Sequence, residues 1–323
     1  MLKLAFFGDG PWASLSLNRL LDKGYAPTCV VLRVRPTDPE LARIANESGI
    51  PVYQPESVNA RSFTDVIEEA TPDLNISVSY DQILRKRIRN TSKLGFINFH
   101  AGKLPHYRGR NILNWALING ETEIGLTAHY VDDGIDTGDI ILQRTIDVGW
   151  KDTYSDVLAR TTETIPDLVE ETIGLIESGQ ASRTAQVGHG TYYSSRGPGD
   201  EWLDWSDTSE NLHNKVRAIG PPAPGAMTAL QRQKVTILNA FFDPNWPKYM
   251  ATPGQVVGKT NEGVFIKTGD SVLRVTRVEM SGGPEIPTWQ VGTRLGENLP
   301  EYLRDLEARI SDLEGRLDVP SNK

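Results

Sequence analysis

The chain has 323 residues with a formal net charge of −8, and 38% of its residues are hydrophobic, as in an ordinary globular protein with room for two domains. It contains no run of about 18 apolar residues, and its apolar start is too short for a signal peptide, so we expect a cytoplasmic protein that does not span a membrane. The acidic balance argues against a nucleic-acid partner, since proteins that bind nucleic acid present a basic face.

Apolar, β-prone runs occupy the first half of the chain, at residues 4–7, 28–32, 74–78, 96–99, 126–131 and 140–146. Helix-like segments lie between several of these runs, at residues 14–22, 39–47, 63–69 and 111–118. Strands that alternate with helices indicate βαβ units and a mainly parallel sheet, which binds ligands at the carboxyl ends of its strands. We therefore predict an α/β, Rossmann-like domain over residues 1–189.

The turn after the first predicted strand reads Gly8-Asp9-Gly10 and is similar to the start of a dinucleotide-binding fingerprint. The third glycine of that fingerprint is replaced by Ala13, and the expected acidic residue after the second strand is not clear. The turn therefore favours contacts to a substrate over binding of NAD.

A long helix is predicted from residue 153 to about residue 178, and Pro166 is expected to kink or split it. Residues 188–190 are interpreted as a linker. A short helix at 212–219 then precedes short strands at 234–240, 255–260, 263–268 and 271–278. Short strands separated by turn residues predict a small, OB-like β-barrel over residues 190–298.

The last segment, residues 299–323, is predicted to be a terminal helix. Its apolar residues alternate spacings of three and four over about two heptads. They are Leu303, Leu306, Ile310, Leu313 and Leu317. Two interpretations stay open: a coiled coil that forms a homodimer, and a helix that packs on its own chain.

The residues with the clearest chemical signal follow the strand at 96–99. Strand periodicity sends Asn98 and His100 to one face and Phe99 to the other. Further on, Asp136 lies in an acidic turn between two glycines, where its carboxylate would orient the His100 ring and favour the protonated imidazole. A structural histidine and ordinary turn residues are the alternatives.

These residue types suit acyl transfer to an amine. Asn98 or His100 can donate a hydrogen bond to the developing oxyanion, and His100 or Asp136 can carry the proton. No serine or cysteine nucleophile is required. His106 and His129 do not form a zinc-binding spacing with these residues, so we expect no metal.

The pattern Asn98-x-His100, the run Leu104-Pro105-x-Tyr107-Arg108-Gly109 and the segment 133–140 resemble the formyltransferase superfamily. That superfamily includes methionyl-tRNA formyltransferase and the sugar N-formyltransferases. The resemblance implies that residues 1–189 are the catalytic domain, with Asn98, His100 and Asp136 as its triad and 10-formyltetrahydrofolate as formyl donor. The residues it implies for folate binding are Tyr80, Asp81, Gln82, Ile83, Leu84 and Asp133.

One departure from the family pattern is Gly102-Lys103, where many members carry Ser-Leu. Lys103 is interpreted either as a surface lysine or as a contact to the phosphate of a nucleotide-linked substrate. Position in the chain suggests six substrate-binding candidates, of which Trp12 and Tyr107 could also be core residues. They are Trp12, Lys103, Tyr107, Arg108, Arg110 and Asn111.

The charge pattern bears on the acceptor of the formyl group. Residues 190–298 contain 11 Lys and Arg against 11 Asp and Glu, and the segment 32–43, where tRNA-binding members carry a basic insertion, is short and mixed in sign. The sequence therefore predicts that the acceptor is a nucleotide-linked amino sugar used for surface polysaccharide (O-antigen) synthesis. The alternatives are methionyl-tRNA formyltransferase, formyltetrahydrofolate hydrolase and a non-catalytic nucleotide-sugar-binding protein.

Overall fold

The computed structural model describes residues 1–34, 38–231, 233–280, 282–296 and 299–317. The chain forms two compact units, Met1–Arg196 and Gly197–Lys323. Residues 190–196, which follow the predicted domain boundary, belong to the first unit.

The strands and helices of the first unit alternate along the chain. They are β1 (Leu4–Gly8), α1 (Gly10–Asp22), β2 (Cys29–Leu32), α2 (Pro39–Glu47), β3 (Val52–Tyr53), α3 (Arg61–Glu69), β4 (Leu74–Val78), α4 (Lys86–Arg89), β5 (Phe96–His100), β6 (Arg108–Gly109), α5 (Ile112–Ile118), β7 (Glu123–Tyr130), β8 (Ile140–Asp147), α6 (Tyr154–Glu177) and β9 (Tyr192–Tyr193). The long, apolar strands match the predicted runs, whereas the two-residue strands β3, β6 and β9 were not predicted.

The main sheet has seven strands in the order β3-β2-β1-β4-β5-β7-β8. Neighbouring strands among the first five in this order, β3, β2, β1, β4 and β5, pair in parallel. Strand β7 is antiparallel to both β5 and β8. This arrangement confirms the prediction of an α/β domain with a mainly parallel sheet. Every residue of β1, β2 and β4 is buried, and the polar residues Asn98 and His100 lie at the carboxyl end of β5.

Gly8 closes the β1 strand where α1 approaches it most closely. A Cβ atom at residue 8 would lie 2.7 Å from the Cβ of Ala13 and 2.9 Å from the carbonyl oxygen of Val78. Glycine and alanine at these two positions therefore allow the helix to pack against the strand. The close packing of helix and strand is enough to explain these two small residues, without a bound dinucleotide.

The long helix α6 continues through Pro166, so the helix is not split there. It begins with a capping box, in which Thr153 and Asp156 exchange side chain to backbone hydrogen bonds. Pro166 is buried on the face that packs against α1, β7 and β8. We attribute the continuity of the helix to this packing, which outweighs the loss of one backbone hydrogen bond.

Residues 186–193 fold back onto the loop that follows β5. Strand β9 pairs in parallel with β6 in a small two-stranded sheet. Gly190 lies against this loop as well, since a Cβ atom there would be 2.3 Å from the carbonyl oxygen of Pro105. The segment interpreted as a linker is therefore part of the wall of the candidate site.

The second unit is rich in β-structure, as predicted. Its elements are α7 (Ser209–Ile219), β10 (Ala226–Leu230), β11 (Gln233–Phe241), β12 (Val256–Thr260), β13 (Gly263–Lys267), β14 (Val272–Met280), β15 (Gly283–Glu285) and α8 (Leu299–Leu317). The strands form one antiparallel sheet in the order β10-β11-β14-β13-β12, with β15 on β14.

The terminal helix α8 exposes part of the predicted heptad seam. Ile310 is 53% exposed and Leu313 is 56% exposed, and Leu306 is half-buried. The side chains of Leu303 and Leu317 lie outside the described residues. Among the helices that the structure describes, none is long and apolar enough to cross a membrane.

Candidate active site

The candidate site lies at the carboxyl end of β5. Asn98 and His100 occupy alternate positions of this strand and reach the same carboxylate, while Phe99 between them is buried. The predicted alternation of the three side chains is therefore observed. A parallel strand followed by a loop is the usual place for a ligand site in such a sheet.

The loop between β7 and β8 brings Asp136 to this strand end. Its Oδ2 accepts a hydrogen bond from the backbone N–H of Gly109 at 2.9 Å and lies 3.7 Å from Nδ1 of His100. Its Oδ1 accepts a hydrogen bond from Nδ2 of Asn98 at 3.4 Å. The carbonyl of Asp136 accepts a hydrogen bond from Gln186 at 2.9 Å, which holds the loop. The three predicted triad residues thus meet at one carboxylate.

The protonation states at this carboxylate differ from the prediction. Burial holds the pKa of His100 below its usual value, and the opposing effects of Asp136 and the Tyr107 carbonyl only partly compensate. Burial by itself raises the pKa of Asp136, but His100, His129 and the Gly109 N–H together hold that pKa below its usual range. At neutral pH the site therefore contains a neutral imidazole next to an ionised carboxylate.

The loop after β5 folds closely over the His100 ring. Nε2 of His100 donates a hydrogen bond to the carbonyl oxygen of Tyr107 at 2.7 Å, so the lone pair lies on Nδ1. A Cβ atom at Gly102 would be 2.3 Å from that carbonyl oxygen and 2.5 Å from Nε2 of His100. The glycine that departs from the family pattern is therefore what allows this contact.

Lys103 and Tyr107, two of the predicted substrate contacts, have partners within the protein. Nζ of Lys103 pairs with the carboxylate of Glu123, which favours the surface-lysine interpretation over a phosphate contact. The Tyr107 ring stacks on Tyr193 with centroids 5.0 Å apart, and its hydroxyl donates to Glu121 at 2.6 Å. One face of this ring is thus covered by the protein, so Tyr107 supports the loop.

The other predicted substrate contacts surround the same loop. Nη2 of Arg108 donates a hydrogen bond to Oε1 of Gln186 at 2.6 Å. Nη2 of Arg110 donates a hydrogen bond to the carbonyl of Asp81 at 2.8 Å. Asn111 is exposed at the start of α5, in a left-handed conformation with φ of 54°. Trp12 is half-buried on α1 and donates to Thr162 on α6 at 2.9 Å. This last contact supports a packing role for Trp12.

The predicted folate-binding loop borders a cleft of about 480 Å³. Ile83 is 68% exposed at this cleft, whereas Tyr80 packs on the core ring of Phe7. The side chain of Gln82 is held by the backbone at Val58 and Pro55, and Leu84 packs on the core. Asp133 is exposed and pairs with Arg89. The loop is thus anchored from behind and presents Asp81, Gln82 and Ile83 to the cleft.

Sequence reasoning missed several residues that build this site. Arg33 ties three neighbours together, because its guanidinium contacts Ser79, Asp9 and Asp81. His129, considered only as a zinc ligand, lies beside Asp136. Arg33 stands directly after a predicted strand, which is a signal that could have identified it. His129 carries no such signal, since its importance depends on which residue faces it.

Comparison with known proteins identifies two matching family regions. Residues 2–173 match the family described as formyl transferase, and residues 197–294 match the formyl transferase C-terminal domain. A methionyl-tRNA formyltransferase from Symbiobacterium thermophilum is 33% identical over 314 residues, which cover 91% of this chain and 95% of that protein.

Solved structures share the fold at lower identity. The sugar 3N-formyl transferase WlaRD, solved in the presence of dTDP and 5-N-formyl-THF, has a TM-score of 0.66 at 20% identity and covers 85% of this chain and 97% of its own. The N-formyltransferase from Helicobacter canadensis, in complex with folinic acid and dTDP-3-aminofucose, has a TM-score of 0.63 at 21% identity and covers 85% and 99%.

Proposed function

Because this chain belongs to the formyl transferase family, we propose that it transfers the formyl group of 10-formyltetrahydrofolate to the primary amine of a nucleotide-linked amino sugar. Formyl transfer itself follows from the family, whose members use formyltetrahydrofolate as donor. The observation that carries the site assignment is the meeting of Asn98, His100 and Asp136 at the carboxyl end of β5.

The proposed mechanism needs a base and a hydrogen-bond donor. The neutral amine attacks the formyl carbon, loses a proton and leaves negative charge on the carbonyl oxygen. His100 accepts the proton on Nδ1, because its Nε2–H already donates to Tyr107. Asp136 then stabilises the imidazolium from 3.7 Å. When the tetrahedral intermediate collapses, the bond between the formyl carbon and the folate nitrogen breaks, and His100 gives the proton to that nitrogen, which leaves as tetrahydrofolate. One N–H of the Asn98 amide exchanges its long, 3.4 Å contact with Oδ1 of Asp136 for a hydrogen bond to the developing oxyanion, so no covalent intermediate with the protein is needed.

The donor side of the site fits a flat, aromatic folate. Formyltetrahydrofolate supplies the activated formyl group, and the cleft beside residues 80–84 has the size of an ordinary small-molecule pocket. Exposed Ile83 offers an apolar contact there. Arg110 joins this loop to the loop after β5 through the carbonyl of Asp81, which keeps the donor cleft and the triad in a fixed relation.

Charge supports a small acceptor over tRNA. Residues 190–298 are electrically balanced, with 11 basic and 11 acidic residues, and the whole chain is acidic. A tRNA-binding surface normally carries clustered Lys and Arg. The exposed side chains of Arg110 and Asn111 next to the triad suit the diphosphate and hydroxyl groups of a nucleotide sugar.

Methionyl-tRNA is the second candidate acceptor. The observation in its favour is the 33% identity to a methionyl-tRNA formyltransferase over 91% of this chain. A transfer assay separates the two: the protein receives 10-formyltetrahydrofolate with a panel of dTDP-, UDP- and GDP-linked amino sugars or with methionyl-tRNA, and products are read by mass. We expect one formyl group on one nucleotide sugar. Formylation of methionyl-tRNA alone would overturn the proposed acceptor, and an inactive protein would favour a non-catalytic binding role.

We also propose that α8 joins two copies of the chain in a parallel coiled coil. In the heptad frame of the apolar seam, Arg309 takes position g and Glu314 the following position e, so a parallel pair brings opposite charges together. An antiparallel pair would bring like charges together. The exposed Ile310 and Leu313 lie on this seam.

The coiled coil predicts a specific effect of a charge on the seam. Ile310→Glu buries a carboxylate in the dimer and is expected to give a monomer, whereas the control Ser311→Glu adds the same charge outside the seam and keeps the dimer. Molar mass in solution, from light scattering on eluted protein, measures both. Equal masses for wild type, Ile310→Glu and a chain ending at residue 298 would rule out this interface.

A further inference from the structure

A second histidine, His129, lies within the group of side chains around Asp136. It belongs to β7 and is the direct partner of Asn98 in the antiparallel register with β5. Directly opposed residues of antiparallel strands have neighbouring side chains on the same face. The side chain of His129 is 2% exposed, so it makes its polar contacts inside the protein.

The two ring nitrogens of His129 have different partners. Nδ1 donates a hydrogen bond to the carbonyl oxygen of Tyr130 at 2.8 Å, which sets the orientation of the ring. Nε2 points the other way, 3.3 Å from Nδ2 of Asn98 and 3.4 Å from Oδ1 of Asp136. One nitrogen therefore anchors the ring to its own strand, and the other contacts two members of the proposed triad.

The contacts of Asp136 show what His129 adds. Oδ2 is held by the Gly109 N–H and faces His100, whereas Oδ1 faces Asn98 and His129. Because the hydrogen of His129 is on Nδ1, its Nε2 accepts from the Asn98 amide and only lies beside Oδ1 of Asp136. The two imidazole rings stand 6.4 Å apart between centroids and are nearly perpendicular, so His129 cannot take the place of His100.

We infer that His129 is a positioning residue for formyl transfer: its Nε2 accepts a hydrogen bond from one N–H of the Asn98 amide and so holds the amide with its other N–H in the orientation that the reaction uses. This inference rests on the triad assigned under the proposed function. His129 acts through its neighbours and does not touch the substrate. Without Nε2, the Asn98 amide can rotate away from the orientation that the reaction uses.

Two substitutions separate this role from a structural one, because each keeps one of the two contacts. In His129→Asn the side-chain amide can still donate to the Tyr130 carbonyl, but nothing reaches Asn98 and Asp136. In His129→Gln the longer amide reaches the Nε2 position and loses the Tyr130 contact. We expect kcat to fall roughly 10- to 100-fold in His129→Asn and by less than about 5-fold in His129→Gln, with KM for both substrates nearly unchanged.

A titration of the free protein gives a readout that needs no acceptor. The titratable groups that face His100 are Asp136 and His129, and the His129 ring lowers the pKa of His100. We therefore expect the pKa of His100 to rise in His129→Asn, as followed by NMR of ¹⁵N-labelled histidine, with His100→Ala used for assignment. The chain has five histidines, so the resonances can be resolved.

The outcomes are distinct from those that test the acceptor. Full activity in His129→Asn with loss in His129→Gln would show that the Tyr130 contact matters and would overturn the inference. Full activity in both variants with an unchanged His100 titration would also overturn it. A wild type without activity on every acceptor would contradict the proposed function, while the titration would still test the contact of His129 with the triad.

Discussion

Replacing His100 with alanine is expected to lower kcat by about 100- to 10,000-fold, the usual contribution of a general base. The neutral imidazole at the end of β5 is the group that takes the proton from the attacking amine, and the flanking Asn98 and Asp136 cannot replace it at that position. The fold should persist, since the substitution removes no apolar side chain from the core.

The matched control for this variant is His106→Ala. His106 lies on the same loop but is exposed, so its removal should leave kcat within about 2-fold of wild type. Binding of 5-formyltetrahydrofolate, measured by calorimetry, should be retained in both variants. If His100→Ala turned over like wild type, another group would be the base; if it lost donor binding, the residue would serve binding instead.

Asp136→Asn is expected to lower kcat by about 100- to 1,000-fold at unchanged fold. At about 4 Å and an effective dielectric constant of about 20, a carboxylate stabilises an imidazolium by about 4 kcal/mol, and the amide removes most of this. Asparagine has nearly the same volume as aspartate and can still accept from the Gly109 N–H. The lost activity would therefore report on charge rather than on packing.

The pH profile gives Asp136→Asn a second signature. The pKa of His100 is below its usual value, so its neutral, active form persists as the pH falls until that lowered pKa is reached. Asp136 raises the pKa of His100, so its removal lowers this pKa further. NMR titration of His100 should shift to lower pH in Asp136→Asn, the opposite direction to His129→Asn.

The control for charge is Asp65→Asn, which removes the same charge from a surface ion pair with Arg87. Exposed ion pairs contribute little, so this variant should match wild type in kcat and in the His100 titration. A His100 pKa that rises in Asp136→Asn, or a kcat equal to that of Asp65→Asn, would contradict the proposed stabilisation of the imidazolium.

The sequence by itself determined the elements that depend on local pattern. The continuous apolar runs at β1 and β2 are buried strands, because four consecutive apolar residues are best buried on both faces of a sheet. The alternation of Asn98 and His100 follows from the period of a strand. That Asp136 acts together with Asn98 and His100 could be predicted only from the resemblance to a known family.

Other features were decided by tertiary structure alone. His129 lies in the site because the register between β5 and β7 places it opposite Asn98, which is 31 residues away in the chain. Lys103 forms an ion pair with Glu123, which folding brings to it from 20 residues away in the chain. The charge state of His100 also depends on tertiary structure. Burial lowers the pKa of His100, whereas the Asp136 carboxylate raises that pKa. Local periodicity carries no information on such contacts, because strand register and loop closure bring together residues that are distant in sequence.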